Sequence, residues 1–125
     1  MSHFNKSKST KKVGERDLLI QNNTSKVPEA VLEGFILHSN SKDVIKGHYK
    51  KLIKKYDVYG NKKNYMLVYC KVKDFDGLWK KYTKHFDSFT EIKTEKGNIH
   101  IGSSKEKQME IIHYFMNFHS IREEI

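Results

Sequence analysis

Lysines recur along one side of a predicted helix and have the charge and spacing to bind phosphate groups. Lys46, Lys50 and Lys54 are four residues apart, so that they lie on one helix face in successive turns. Like charges at this spacing repel one another, and external anions would relieve the repulsion. We therefore predict phosphate-backbone binding, without a cofactor, by the lysines of this helix, the turn after it and the next helix. These lysines are Lys46, Lys50, Lys51, Lys54, Lys55, Lys62, Lys63, Lys80, Lys81 and Lys84.

The overall charge agrees with an anionic partner. The chain of 125 residues has 24 Lys and Arg against 15 Asp and Glu, a formal net charge of +9. Such an excess favours a nucleic acid, or alternatively an acidic protein bound by a non-enzymatic interaction module. Alternatively, the lysine face is simply solvated and binds no partner. Tyrosines are interleaved with the lysines and could stack on unpaired bases. These are Tyr49, Tyr56, Tyr59, Tyr65 and Tyr69.

A second pattern combines acidic residues and a lysine near a predicted strand. Glu91 and Lys93 are separated by one residue, and Asp76 precedes them. A Glu-x-Lys strand after an acidic residue and before a helix with a glutamine resembles the PD-(D/E)XK nuclease superfamily. The resemblance covers residues 74–112. The same Glu-x-Lys pattern also fits an exposed hairpin strand with paired charges.

The resemblance implies metal-dependent hydrolysis of a phosphodiester. It implies that Glu91 and either Asp76 or Asp87 bind Mg²⁺, which activates water and neutralises the phosphate. It places Lys93 beside the attacking water. Glu33 would be a further ligand, and Gln108 would lie in the helix after the strands. The sequence favours nucleic-acid binding without catalysis, and nuclease activity is the enzymatic alternative.

Other features limit the functional classes. No histidine pair has the helical spacing of a metal site, and no glycine-rich phosphate loop is present. The single Cys70 excludes an internal disulfide. No apolar run has membrane-spanning length, and no secretory signal is evident. We expect a soluble, intracellular (cytoplasmic) protein without membrane contact.

Several elements would position these residues. Asn64–Val72 is predicted as a central strand, since both its faces are largely apolar. Residues 42–56 and 74–86 show helical periodicity, with Ser41 and Asp74 as N-caps. Residues 88–94 and 98–102 are predicted to form a hairpin that turns at 95–97.

Two further segments complete the prediction. Residues 28–37 fit either a helix or a strand with a bulge at Gly34, and their helix-forming residues favour the helix. Residues 105–119 are predicted as a helix that is apolar over more than half its circumference. Its excess apolar surface would suit a homo-oligomer contact.

Together these elements predict one α+β domain. Residues 1–25 are predicted to be a flexible basic arm, and residues 26–125 to form the domain. The expected architecture is a small sheet of three or four strands, covered by three or four helices.

Overall fold

The computed structural model describes residues 17–21 and 28–119. In this part the chain forms six strands and two helices. Their order is β1 (Asp17–Gln21), β2 (Pro28–Leu37), α1 (Lys42–Tyr59), β3 (Lys63–Cys70), α2 (Phe75–Thr83), β4 (Phe89–Glu95), β5 (Ile99–Glu106) and β6 (Met109–Asn117). All six strands belong to one mixed sheet in the order β1-β2-β3-β6-β5-β4. The pairs β2–β3 and β3–β6 are parallel, and the other pairs are antiparallel.

The predicted sheet of three or four strands under three or four helices is therefore wrong. The described residues contain a six-stranded sheet and only two helices. Two predicted helices are strands, as the next paragraphs explain. Of the predicted arm at residues 1–25, the structure describes only β1, which pairs with β2; residues 1–16 and 22–25 lie outside the described part.

Residues 28–37 form β2, although the helix was favoured. Val31, Phe35 and Leu37 are buried and alternate with half-buried residues, which is the two-residue period of a strand. β2 pairs with β1 on one side and β3 on the other. These pairings outweigh the helix propensity of Glu29 and Ala30, because propensity is a weak prior that tertiary contacts override.

Most of the predicted C-terminal helix is strand β6. Met109, Ile111 and Phe115 are buried on the helix-covered side of the sheet, while Tyr114 and Met116 are half-buried on the other. A strand that is apolar on both faces has the same composition as a buried helix, so periodicity does not separate them. The predicted homo-oligomer contact was assigned to this helix, but residues 109–117 form a strand instead.

The other predicted elements are confirmed. α1 begins after Ser41, whose Oγ accepts a hydrogen bond from the Val44 N–H, and it ends at Gly60 in the left-handed conformation. α2 begins after Asp74, whose Oδ1 accepts from the Gly77 N–H at 3.0 Å. The β4–β5 hairpin turns through Gly97 at φ 74°.

Both helices pack on the same face of the sheet. His48 of α1 stacks on Phe35 of β2, and Trp79 and Tyr82 of α2 contact Phe115 of β6. We call the two helices the helix layer. Among the described residues, no helix is long and apolar enough to cross a membrane.

The opposite side, which we call the open sheet face, carries ten large apolar side chains. No helix of the described ranges lies over this face. The ten residues are Leu32, Ile36, Tyr65, Leu67, Tyr69, Ile99, Ile101, Ile112, Tyr114 and Met116.

Candidate functional site

The two helices are neighbours, joined where α1 begins and α2 ends. Lys46 Nζ donates to the backbone oxygen of His85 at 3.1 Å. His85 Nε2 lies 2.8 Å from Asn40 Oδ1, and the Tyr49 ring contacts the Phe86 ring at a centroid distance of 5.2 Å. The first half of α1 therefore lies beside the residues that follow α2.

Five of the ten predicted lysines are exposed on the helix layer and form no ion pair with a residue that the structure describes. We call them the helix-layer lysines: Lys50 and Lys54 on α1, Lys80 and Lys81 on α2, and Lys84 at the C-cap of α2. Lys55 is half-buried on α1, and Lys62 is exposed in the turn before β3.

The pKa of His85 is affected by its position at the junction of the helices. Burial lowers the pKa of His85, and the positive charges of Lys46 and Lys42 lower it further. The imidazole thus lies within the field of the lysines at the start of α1. Lys46 and Lys42 are therefore close enough to His85 to disfavour its protonation.

Two predicted lysines belong to other environments. Lys51 Nζ lies 3.7 Å from the buried carboxylate of Glu33. Lys63 lies on β3 with its Nζ 4.0 Å from Glu110 Oε1, and its register places it on the side of the open sheet face. Neither ammonium group is thus a free cation of the helix layer.

The predicted tyrosines are also divided between two sides of the sheet. Tyr65 and Tyr69 lie on the open sheet face. Tyr49 is on α1, where its hydroxyl donates to Glu106 Oε1 at 2.7 Å. The interleaving of Tyr and Lys in the sequence therefore does not produce one mixed surface.

A cleft of about 570 Å³ lies between α2 and the β4–β5 hairpin. It brings together members of both predicted sites: the acidic candidates Asp76 and Glu91, and the helix-layer lysines Lys80 and Lys84. Its lining residues are Asp76, Trp79, Lys80, Thr83, Lys84, Phe89, Glu91, Thr94, Lys96 and His100.

The carboxylate of Asp76 is held by the hairpin. Its Oδ1 accepts from the Gly97 N–H at 3.0 Å and from His100 Nε2 at 2.8 Å. These bonds lower the pKa of Asp76, the Gly97 N–H having the larger effect. Asp76 therefore fastens the first turn of α2 to the hairpin turn.

Glu91 is held in a similar way. It accepts from Trp79 Nε1 at 3.1 Å and from the hydroxyl of Thr94. The Thr94 bond, followed by the Trp79 bond, lowers the pKa of Glu91. The His100 ring stacks on Trp79 with 5.0 Å between centroids and 4° between planes. Donors of the chain itself thus contact both oxygens of Glu91 and Oδ1 of Asp76.

Lys93 does not join Glu91 in the cleft. Glu91 pairs with Gly102, but Lys93 pairs with Ile101, because the register shifts by one residue at Ile92. Directly opposed residues share a face of the sheet, so a bulge of this kind turns Lys93 to the side of Ile101 and the open sheet face. The two residues of the Glu-x-Lys pattern therefore lie on opposite faces of the sheet.

The remaining residues of the nuclease resemblance are dispersed. Glu33 is buried on β2, with Oε2 2.6 Å from His48 Nδ1. Asp87 is exposed before β4, and Gln108 lies in the β5–β6 turn rather than in a helix. Across residues 17–21 and 28–119 no group of three or more His, Cys, Asp or Glu side chains is placed to hold a metal ion.

Sequence reasoning missed Trp79, Thr94 and His100 as members of the cleft. Thr94 and His100 are opposite each other in the β4–β5 hairpin. The turn lies at residues 96–98, one residue after the predicted 95–97, and a hairpin turn fixes which residues are paired. The predicted turn would have placed Thr94 opposite Asn98, so it did not indicate this pairing. The contact with Trp79 depends on how α2 packs on the sheet, which the local pattern does not specify.

Comparisons with protein-family models, with curated proteins and with solved structures find no significant match for this chain.

Proposed function

We propose that this protein binds nucleic acid through contacts between the helix-layer lysines and the phosphate backbone. The observation that carries the proposal is the set of five exposed ammonium groups on the helix layer, which form no ion pair with a described residue. A phosphate backbone supplies the anions that would relieve their mutual repulsion.

The spacing of the cations suits such a ligand. Lys50 and Lys54 are one turn apart, about 6 Å along the helix axis. Phosphates follow each other at about 3.4 Å along the axis per strand, so that adjacent lysines would match about every second phosphate. Lys80, Lys81 and Lys84 continue the positive surface beyond the His85 junction.

The cleft would direct the backbone to its rim. Asp76 and Glu91 are inside the cleft with lowered pKa values, so both are ionised at neutral pH and repel a phosphate. Lys80 and Lys84 are exposed at the same cleft. The backbone would therefore run along the outer side of α2, and this mode of binding requires neither metal nor cofactor.

The test is a titration of labelled single-stranded DNA, double-stranded DNA and single-stranded RNA, followed by fluorescence anisotropy. Five phosphate contacts predict that affinity falls on the order of 10²- to 10³-fold between about 50 and 200 mM salt. Polyglutamate of similar length serves as the control for an acidic protein partner. Absence of binding to every nucleic acid at low salt would contradict the proposal, as would equal affinity for polyglutamate.

A further inference from the structure

The open sheet face is the second surface that requires an explanation. On β3 it presents Tyr65, Leu67 and Tyr69, and on β6 it presents Ile112, Tyr114 and Met116. Phe118 contacts the Tyr69 ring at a centroid distance of 5.3 Å, and the described helices pack on the opposite side of the sheet. Contiguous apolar patches of more than a few hundred Å² mark interaction sites in soluble proteins.

We propose that the open sheet face is a homodimer interface, in which two copies pack sheet against sheet with their helix layers outward. Sheets pack face to face about 10 Å apart through apolar side chains, as this face would allow. An isologous contact uses the same patch on both copies, so one apolar face satisfies both partners.

The area agrees with a specific dimer. β3 has eight residues, which span about 26 Å, and the four strands β2, β3, β6 and β5 are together about 19 Å wide. The flat projection is roughly 500 Å² per copy, or about 1,000 Å² for two, and the side-chain relief adds to it. This is at the threshold for a specific protein interface.

The charge of this face argues against a nucleic acid as its occupant. Lys63 lies beside Glu110, and Lys105 is paired with Glu110 across the strands. The carboxylate of Glu110 therefore offsets one of the two positive charges at this end of the face, whereas no described carboxylate pairs with the helix-layer lysines. The centre of the face is aliphatic, with Leu67 and Ile112 between the rings, whereas a base-stacking surface relies on aromatic rings and cations.

The edge of the sheet is a poorer site for self-association than its face. The edge strand β4 carries Glu91, Lys93 and Glu95 and contains a bulge. Charges and bulges on an edge strand oppose pairing with the edge of another sheet. Self-association through the β4 edge is therefore disfavoured.

The test is the molar mass of the full chain by sedimentation equilibrium and light scattering, from about 1 to about 200 µM. We expect twice the monomer mass at the upper concentrations, and dissociation in Leu67→Glu and Tyr65→Glu. Val58→Glu is the matched control, because Val58 is an apolar residue of α1 that is 73% exposed. A monomeric wild type at all concentrations, or a dimer that both face variants retain, would overturn the proposal.

A second measurement remains decisive if the variants do not fold. Met116 is half-buried on the face, whereas Met66 and Met109 are buried in the core. Peroxide oxidation of wild-type Met116 should be slow in the dimer and accelerate on dilution, whereas Met66 should not respond. Concentration-independent oxidation of Met116 would overturn the proposal. The proposal would also be overturned if the protein were monomeric and single-stranded DNA protected Met116 from oxidation. That result would identify the face as a base-stacking surface.

Dimerisation through the open sheet face can be tested independently of the nucleic-acid proposal. Charge reversal of Lys50 and Lys54 should leave the dimer intact, since both residues are on the helix layer. Loss of nucleic-acid binding with an unchanged dimer, or the reverse, would therefore separate the two proposals.

Discussion

Lys46 on α1 donates a hydrogen bond from its ammonium group to the backbone oxygen of His85, just after α2, over a sequence separation of 39 residues. The bond joins the two helices that carry the helix-layer lysines. Because both helices lie on one face of the sheet, their charges add to one field instead of being divided between two sides of the molecule.

The close packing of Phe89 over Gly102 predicts opposite effects of two glycine substitutions. A Cβ at Gly102 would be 2.2 Å from Phe89 Cε1 and 3.1 Å from Thr90 O, so we expect Gly102→Ala to lower the free energy of unfolding by about 1–3 kcal/mol. A Cβ at Gly47 in α1 would have no atom within 4 Å. Gly47→Ala should therefore raise the free energy of unfolding by about 1 kcal/mol. Urea denaturation measures both. A Gly102→Ala protein as stable as wild type would show that Phe89 does not pack here.

The buried His113 predicts loss of stability in mild acid. Its Nδ1 lies 2.7 Å from the Tyr82 hydroxyl and its Nε2 lies 2.8 Å from Ser104 Oγ, and burial lowers the pKa of His113 to about 3. Above pH 6.5 the imidazole is neutral in both states and contributes no pH dependence. Below it, the unfolded chain gains a proton that the folded protein excludes, so the free energy of unfolding falls by about 1.4 kcal/mol per pH unit until about pH 3.

Urea denaturation at about pH 7.5 and 5.0 should therefore show a loss of about 2 kcal/mol in the wild type that His113→Gln largely removes. Glutamine cannot take up a proton in this range but retains a donor and an acceptor. Equal pH dependence in the two proteins would mean that His113 is not buried in its neutral form.

The bonds of Glu91 predict a structural role for its carboxylate. Glu91→Ala removes the acceptor of Trp79 Nε1 and of the Thr94 hydroxyl, so we expect a loss of about 0.5–1.5 kcal/mol in the free energy of unfolding. The emission of Trp79, the single tryptophan, should change with it. Lys93→Ala is the matched control and should affect neither.

The same two variants test the nuclease alternative. Prolonged incubation of wild type with DNA or RNA and Mg²⁺ or Mn²⁺ should leave the substrate intact, because Lys93 lies on the other face of the sheet from Glu91. Metal-dependent cleavage that both Glu91→Ala and Lys93→Ala abolish would contradict this expectation.

Local signals in the sequence sufficed for the elements with clear ends. Ser41 and Asp74 marked the helix starts, and Gly97 marked the hairpin turn, since caps and turns depend on neighbouring residues. The sequence left β2 open between helix and strand, with the helix favoured, and predicted β6 as a helix. Their identity as strands depends on long-range pairing with β3.

The candidate site was predictable only where it depends on local sequence signals. Helical periodicity identified the outward lysines of α1 and α2, and five of them are exposed on the helix layer. The bulge at Ile92 was not predictable, because nothing in Glu91-Ile-Lys93 distinguishes it from a regular strand. That bulge separates Glu91 from Lys93.

The most direct test of the account compares two double charge reversals in the nucleic-acid titration at low salt. Lys50→Glu with Lys84→Glu alters both helices of the helix layer, whereas Lys93→Glu with Lys105→Glu makes the same change in charge on strands β4 and β5. We expect the first pair to lower affinity at least about 100-fold and to flatten its salt dependence, and the second to have a much smaller effect. Equal losses in the two variants, or wild-type affinity in the first, would contradict binding by the helix layer.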